Sequence, residues 1–326
     1  MPSGNGPCRF GQYHRFHRLV LDDLGFHHVP IYSPNQDETL YSDLGIMGSQ
    51  FTRLGWQGIV AVDLLMKKLL ETRPYEKEKG KADQVYQGSL ERVCEAILKG
   101  DDLEKALQKS IENFDRIEVD RFGTKPLIGI VGENFVRLNR FANEDVIRKI
   151  EQFGGEAWIA PIMEWILYLN IIKKRWTLRK KSFSNLLRVF LTDYYQKKDE
   201  HRLEKIFKGH LKHFGEPTIK NLFKNAKPYL DSSFEAEPVV YIGKTIDFVR
   251  RGANGIINTV PFTCMSGTIL SIILKRYREE NENIPVLNLI FEGQKSTNIL
   301  TRLEAFMYQV KEFQYRNSHR SVNHMN

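Results

Sequence analysis

The cysteine with the most informative surroundings is Cys264. A strand candidate at 255–260 precedes it, and a helical pattern begins at Met265. Such a junction lies at the carboxyl end of a parallel strand, where open α/β sheets bind ligands. Free N–H groups and the dipole at a helix N-terminus should lower the pKa of the thiol and favour the thiolate, which binds metals and attacks electrophiles. The alternative is a small buried cysteine that only fills space.

Cys8 has similar surroundings, because a glycine-rich stretch at 4–7 precedes it and a helical pattern follows. Two thiolates at helix N-termini suit an iron–sulfur cluster, a zinc ion or redox chemistry. We therefore expect Cys8 and Cys264 to face one cleft, as ligands of a metal or cluster or as a redox pair. Cys94 is different, because it falls in mid-helix on an apolar face with Leu90, and we predict that it belongs to the core.

Further polar residues follow strand candidates, at the edge where Cys264 is expected. They are weaker candidates for cleft-lining and cofactor-binding positions, because polar residues at this place also make ordinary turns. The sequence has no G-x-G-x-x-G and no Walker A motif, so we expect no dinucleotide or ATP site of the common kinds. The candidates are Glu133, Asn134, Glu292 and Gln294.

The elements that must position these residues follow an α/β pattern. Strand candidates alternate with helices in the second half, an order that predicts parallel strands joined by right-handed crossovers. We predict two doubly wound, Rossmann-like parallel-sheet domains. Residues 1–124 hold the remainder of the first, incomplete at its N-terminus, with a strand at 29–32. Residues 125–326 form the second, with a helical insertion at about 163–232.

The basic character of the chain belongs to one segment. Residues 171–230 contain 16 Lys and Arg against 5 Asp and Glu, whereas the rest of the chain contains 32 against 35. Such a segment is either a set of solvated helix faces or a surface that attracts phosphates, acidic proteins or membranes. No zinc-finger spacing and no aromatic RNA-binding motif accompanies it, so we expect no nucleic-acid partner.

Composition excludes several protein classes. With 326 residues, 41% hydrophobic and 27% charged, the chain is not of the disordered class. Three cysteines do not make a disulfide scaffold. No apolar run reaches the roughly 18–20 residues of a membrane span, so we expect no membrane insertion. The first residues lack the basic and apolar regions of a secretory signal, and a reduced, cytoplasmic setting is therefore expected.

Several segments together resemble the 2-hydroxyacyl-CoA dehydratase family, including the C-terminal parts of the related CoA-substrate-specific enzyme activases. Residues 6–13 read Gly-Pro-Cys-Arg-Phe-Gly-Gln-Tyr, and residues 260–267 read Val-Pro-Phe-Thr-Cys-Met-Ser-Gly. Residues 128–143, which include Arg137, are similar to the opening of the family's second domain, and residues 289–306 to its closing segment. The resemblance covers nearly the whole chain.

In that family, each subunit of this type holds a 4Fe–4S cluster through three cysteines. An ATP-dependent activator delivers an electron, and radical chemistry of anaerobic metabolism then removes water from a 2-hydroxyacyl-CoA. The resemblance implies that Cys8 and Cys264 are cluster ligands. It also implies an acyl-CoA thioester as substrate, and a dehydratase partner subunit or an ATP-dependent activator as partner.

The sequence departs from the family pattern at two points. The family's first cysteine motif has no counterpart upstream of Cys8, and Ser266 stands where the family usually has proline. We therefore expect an iron–sulfur electron-transfer or activase-related component of a dehydratase system, a lyase, that is incomplete in this chain. The alternatives are a non-catalytic α/β interaction or regulatory module that has lost the cluster, and a zinc or redox protein that uses Cys8 and Cys264.

Overall fold

A computed structural model describes residues 9–33, 49–181, 183–294 and 298–323. The chain divides into two compact units, residues 1–58 and 59–326. In the first unit, a short 3₁₀ helix, Arg9–Gln12, leads into helix α1, Tyr13–Asp23. Gly25 ends α1 with a φ of 80°, a left-handed conformation that glycine adopts without strain. The strand predicted at 29–32 is wrong, because those residues are irregular.

The second unit contains a sheet of four parallel strands in the order β2-β1-β3-β4. The strands are β1 (Leu127–Gly132), β2 (Glu156–Ile159), β3 (Gly255–Pro261) and β4 (Val286–Phe291). Each residue of β1 and β2 is buried, which explains why these strands are continuous apolar runs in the sequence rather than alternating patterns. The predicted α/β class with a parallel sheet is confirmed.

Helices precede, connect and follow these strands. Four α-helices lie between β2 and β3. Two further 3₁₀ helices are Arg73–Tyr75 and Lys205–Phe207. The α-helices are α2 (Ser49–Thr72), α3 (Lys81–Lys99), α4 (Leu103–Asp115), α5 (Asn134–Leu138), α6 (Val146–Gln152), α7 (Ile162–Arg179), α8 (Phe183–Glu204), α9 (Ile219–Ala226), α10 (Pro238–Arg250), α11 (Met265–Glu280) and α12 (Ile299–Asn323).

Two apolar clusters cover the two faces of the sheet. On one face, Phe248 of α10 and Leu274 of α11 pack with Ile256 of the sheet. On the other face, Ile150 of α6 and Leu303 of α12 pack in the second cluster. Helices on both faces make this a doubly wound sheet, and they leave its carboxyl edge as the place where the loops collect.

Some local predictions differ from the structure. The pattern over 143–153 predicts one helix with Asn143 as its N-cap, whereas α6 begins at Val146, although the Oδ1 atom of Asn143 accepts a hydrogen bond from the Val146 N–H at 3.3 Å. Over residues 9–33 and 49–124, the structure contains helices and irregular chain but no strand of a first-domain sheet. The domain boundary after residue 124 stays a prediction. Within the described ranges, no helix is both long enough and apolar enough to cross a membrane.

Candidate functional site at the carboxyl edge of the sheet

The strand order creates a switch point between β1 and β3. These strands are neighbours, with Gly132 opposite Thr259. From β1 the chain continues to β2 on one side, and from β3 it continues to β4 on the other. The loops after β1 and β3 therefore diverge, which is the place where open α/β sheets bind ligands.

Cys264 lies at this switch point as the N-cap residue of α11. Its Sγ atom accepts a hydrogen bond from the Gly267 N–H at 3.4 Å, and the side chain is partly exposed. Gly267 is necessary there, because a Cβ atom at this position would lie 2.2 Å from the Val260 side chain. Thr263 has a φ of 62°, which is unusual for a β-branched residue. The N–H donor and the helix N-terminus favour a thiolate at Cys264.

Glu133 and Asn134 make local bonds at the end of β1. The Glu133 carboxylate caps the short helix α5 by accepting bonds from the N–H groups of Phe135 and Val136, at 3.0 and 2.8 Å. The Oδ1 atom of Asn134 accepts a bond from the Arg137 guanidinium at 2.9 Å. Both residues thus lie at the predicted edge of the sheet. Glu133 caps α5, and Asn134 holds the Arg137 side chain.

Arg137 is a buried cation behind this loop, with only 1% of its surface exposed. It donates to the Gly132 carbonyl at 2.6 Å and lies over the Tyr241 ring at 5.8 Å. Its Nε atom has no hydrogen-bond partner among the described residues. Burial raises the pKa of Tyr241 well above its ordinary value; the nearby Arg137 opposes this shift, and the charges of Glu237, Glu133 and Cys264 add to it. Tyr241 therefore keeps its proton in the neighbourhood of Cys264.

A group of carboxylates lies beyond Arg137, at the carboxyl end of β2. Asp63 of α2 accepts hydrogen bonds from the N–H groups of Ile162 and Met163, at 3.2 and 2.8 Å, and so caps α7. Burial raises the pKa of Asp63 to about 7, and the nearby Arg137 opposes this shift. A carboxyl group with such a pKa exchanges its proton near neutral pH, which is what general acid–base chemistry requires.

The same group contains a fully buried ammonium. The Nζ atom of Lys244 lies 2.5 Å from a carboxylate oxygen of Glu164 and also pairs with Glu216, which in turn pairs with Lys67. Burial raises the pKa of Glu164 to about 7 against the opposing effect of Lys244. Burial also acts to raise the pKa of Glu216, but Lys244 and Lys67 lower it to about 2.

The predicted site residues are only partly brought together. Glu133 and Cys264 both lie close enough to Tyr241 to influence its pKa. Glu292 and Gln294 are exposed after β4, one strand away from the switch point. Cys8 lies outside the described residues. The prediction that Cys94 belongs to the core is wrong, because its side chain is exposed on α3.

Among the residues that the structure describes, no group of three or more His, Cys, Asp or Glu side chains is arranged to hold a metal ion. At the switch point, Cys264 presents one partly exposed sulfur atom. The Ser266 hydroxyl donates a hydrogen bond to the Glu237 carboxylate at 3.2 Å and so joins the first turn of α11 to the start of α10.

Sequence reasoning did not identify the buried charges of Asp63, Glu164, Glu216 and Lys244. One signal was present in the sequence, because Lys244 directly follows the apolar run 239–243 and Glu164 lies in a mostly apolar segment five residues after a buried strand. A charged residue inside an apolar run is informative, since lysine and glutamate are almost never fully buried unless they are paired.

Replacing Asp63 with asparagine should change the pH dependence of stability. The pKa of Asp63 is about 7 in the folded chain against an ordinary 3.8, so the folded state holds a proton that the unfolded state releases between these values. This contribution to stability is present at low pH and is lost as the pH rises through about 7. The free energy of unfolding of the wild type minus that of Asp63→Asn should therefore be larger near pH 5 than near pH 8, by on the order of 1–3 kcal/mol.

Urea unfolding at the two pH values measures this difference. Asp101→Asn serves as the control, because Asp101 is an exposed carboxylate and its removal should produce little pH dependence. A difference that grows with rising pH would contradict the assignment of a raised pKa to Asp63.

Four groups therefore lie close to one edge of the parallel sheet. They are the Cys264 thiol, which caps a helix, the buried Arg137 guanidinium, the protonated Tyr241 phenol and the Asp63 carboxyl group, whose pKa is near neutrality. Comparison with known proteins adds no family to this description: no family model and no curated protein matches the chain.

Proposed function

We propose that this chain is an iron–sulfur component of a 2-hydroxyacyl-CoA dehydratase system, with an electron-transfer or activase-related role. The position of Cys264 carries the proposal: it caps a helix at the switch point of a parallel sheet, and its sulfur accepts an N–H bond. The resemblance of the segments around Cys8 and Cys264 to the dehydratase family supplies the chemical class. The proposed partners are an acyl-CoA thioester, and a dehydratase subunit or an ATP-dependent activator.

The described residues do not by themselves complete a cluster site. A 4Fe–4S cluster is held by several cysteine thiolates, and Cys264 is the one thiol that the described chain presents at this edge. The proposal therefore assigns Cys8 as a second ligand and requires further ligands from outside the described residues. Such a cluster would supply one-electron chemistry.

The chain's own residues would prepare this edge for an anionic group. Cys264 would supply a sulfur ligand, and Arg137 would place a positive charge behind the loop after β1. Tyr241, which keeps its proton because it is buried, would be a hydrogen-bond donor rather than a base. Asp63 would hold or release a proton near neutral pH.

A non-catalytic interaction or regulatory module is the second candidate. The observation that favours it is the lack, within the described ranges, of any group of three metal-ligating side chains. In this case the carboxyl edge would retain the shape of a ligand site without its cofactor, and the chain would act through binding to other proteins.

Anaerobic reconstitution of the full chain with iron and sulfide tests the proposal. The wild type should bind iron and sulfide and develop the visible absorbance of a cluster. Cys264→Ser and Cys8→Ser should each lose most of the bound iron, because each removes a proposed ligand. Cys94→Ser is the matched control and should behave as the wild type, since Cys94 is exposed on α3, which contributes nothing to the switch point.

Three outcomes would contradict the proposal. Wild-type protein that binds no iron would favour the interaction module. Iron binding that survives in Cys264→Ser would show that Cys264 is not a ligand. Stoichiometric zinc in the purified protein, lost in both Cys264→Ser and Cys8→Ser, would replace the cluster by a zinc site.

A further inference from the structure

Helix α8 carries a second apolar face that is turned to solvent. Its inner face packs on α7: Val189 is buried, and Asp193 bonds Lys174 across the two helices at 2.5 Å. The opposite face and its border with α7, where the Phe190 ring lies beside Lys174, hold five large apolar or aromatic side chains, which we name the outer stripe. These residues are Leu187, Phe190, Leu191, Tyr194 and Tyr195, and they are between 48% and 64% exposed.

The outer stripe has the spacing of a helix–helix contact. Leu187, Leu191 and Tyr194 repeat at intervals of four and three residues, and Phe190 and Tyr195 flank them. From Leu187 to Tyr195, nine residues, the stripe extends about 12 Å, or two helical turns. Contiguous apolar surface of this kind on a water-exposed helix marks an interaction site.

Basic residues surround the outer stripe. Lys180 and Lys181 precede α8, Arg188 lies at the side of the stripe, and Lys198 continues it by one turn. All four are exposed, and none has an ion-pair partner within the described part of the chain. Asp193 does not neutralise this positive charge, because it points inward and already pairs with Lys174 and Lys197.

The local potential at this surface is positive. The pKa of Lys173 on α7 is lowered, first by burial and then by the nearby charge of Arg188. Two cations that disfavour each other's charge would gain from an acidic neighbour.

We propose that the outer stripe of α8 is a docking surface for an acidic amphipathic helix of a partner protein. Such a helix would place apolar residues at i, i+3, i+4 and i+7 on the stripe and carboxylates on Lys180, Lys181 and Arg188. A second copy of this chain fits poorly, because its own basic residues would face these. A bilayer also fits poorly, because two turns of partly exposed apolar side chains offer little area for insertion.

A designed peptide pair tests the proposal. One fluorescently labelled peptide of about 14 residues carries leucine at the four contact positions and glutamate elsewhere; the other has lysine in place of each glutamate. Anisotropy titration with the full chain should show binding of the glutamate peptide that weakens with salt, and far weaker binding of the lysine peptide.

Variants of the chain assign the binding to residues. Leu187→Ser combined with Leu191→Ser should weaken binding of the glutamate peptide by about tenfold or more. Lys180→Gln combined with Lys181→Gln should weaken it and reduce its salt dependence, while the melting temperature stays nearly unchanged. Leu98→Ser is the matched control, since Leu98 is 84% exposed on α3, and it should bind as the wild type.

Four results would overturn the proposal. They are no binding of the glutamate peptide, equal binding of both peptides, binding that the double leucine substitution does not weaken, and binding of a different occupant to the outer stripe. The last would be seen as self-association in sedimentation, or as pelleting with phosphatidylserine vesicles, that disappears in the double leucine variant.

Discussion

Replacing Lys244 with methionine should lower the free energy of unfolding by about 3–5 kcal/mol, because it leaves buried carboxylates without their cation. Lys244 has no exposed surface, and its ammonium group pairs with Glu164 and Glu216. Methionine has a similar length, so the expected loss comes from the uncompensated charges rather than from a cavity.

Urea unfolding at neutral pH measures this loss. Arg276→Met is the control, because the pair that Arg276 forms with Glu280 is exposed and screened by solvent, so its loss should change the stability little. The double variant Lys244→Met, Glu164→Gln should regain part of the stability, because Glu164 is then neutral while Glu216 keeps its pairing with Lys67. An equal loss in the free energy of unfolding of Arg276→Met and Lys244→Met would show that Glu164 and Glu216 do not need Lys244 as a partner.

Replacing Gly132 with alanine should destabilise the chain by about 3–5 kcal/mol and disrupt the switch point. Gly132 has a φ of 113°, and a Cβ atom there would lie 2.2 Å from the Thr259 carbonyl oxygen. The backbone of β3 cannot move away without breaking its pairing with β1, so strain and overpacking act together.

Gly88→Ala is the matched control for this substitution, and its effect on the free energy of unfolding should have the opposite sign. Gly88 lies inside α3 with no atom within 4 Å of an added Cβ, so alanine should stabilise the chain by about 0.5–1 kcal/mol. Thermal unfolding of the two variants distinguishes them directly. Equal effects at the two glycines would contradict the close approach of β1 and β3 at Gly132.

Local patterning predicted much of the second unit because its elements are strongly periodic. The continuous apolar run at 127–132 is strand β1, and the helical pattern that begins at Met265 is helix α11. The predicted strand at 29–32 failed, because a short apolar run without a pairing partner has no preference strong enough to form a strand alone.

Cys94 shows how a helical pattern can be misread by one position. The buried residues of α3 include Ser89, Val93 and Ala96, which form one stripe. Cys94 follows Val93 and is therefore rotated by about 100° away from that stripe, so it faces solvent. The face of a helix that becomes buried is decided by the neighbour it packs on, and the sequence of α3 alone does not name that neighbour.

The sequence by itself determined the α/β class with a parallel sheet and the position of Cys264 at a strand–helix junction, because apolar runs, glycine stops and helix starts act over a few neighbouring residues. Only the tertiary structure decided that β1 lies beside β3, so that Glu133 and Cys264 share an edge. It also decided that Lys244 meets Glu164, 80 residues away, and Glu216, 28 residues away. These pairings depend on strand order and helix packing, which bring distant segments together and which no local pattern encodes.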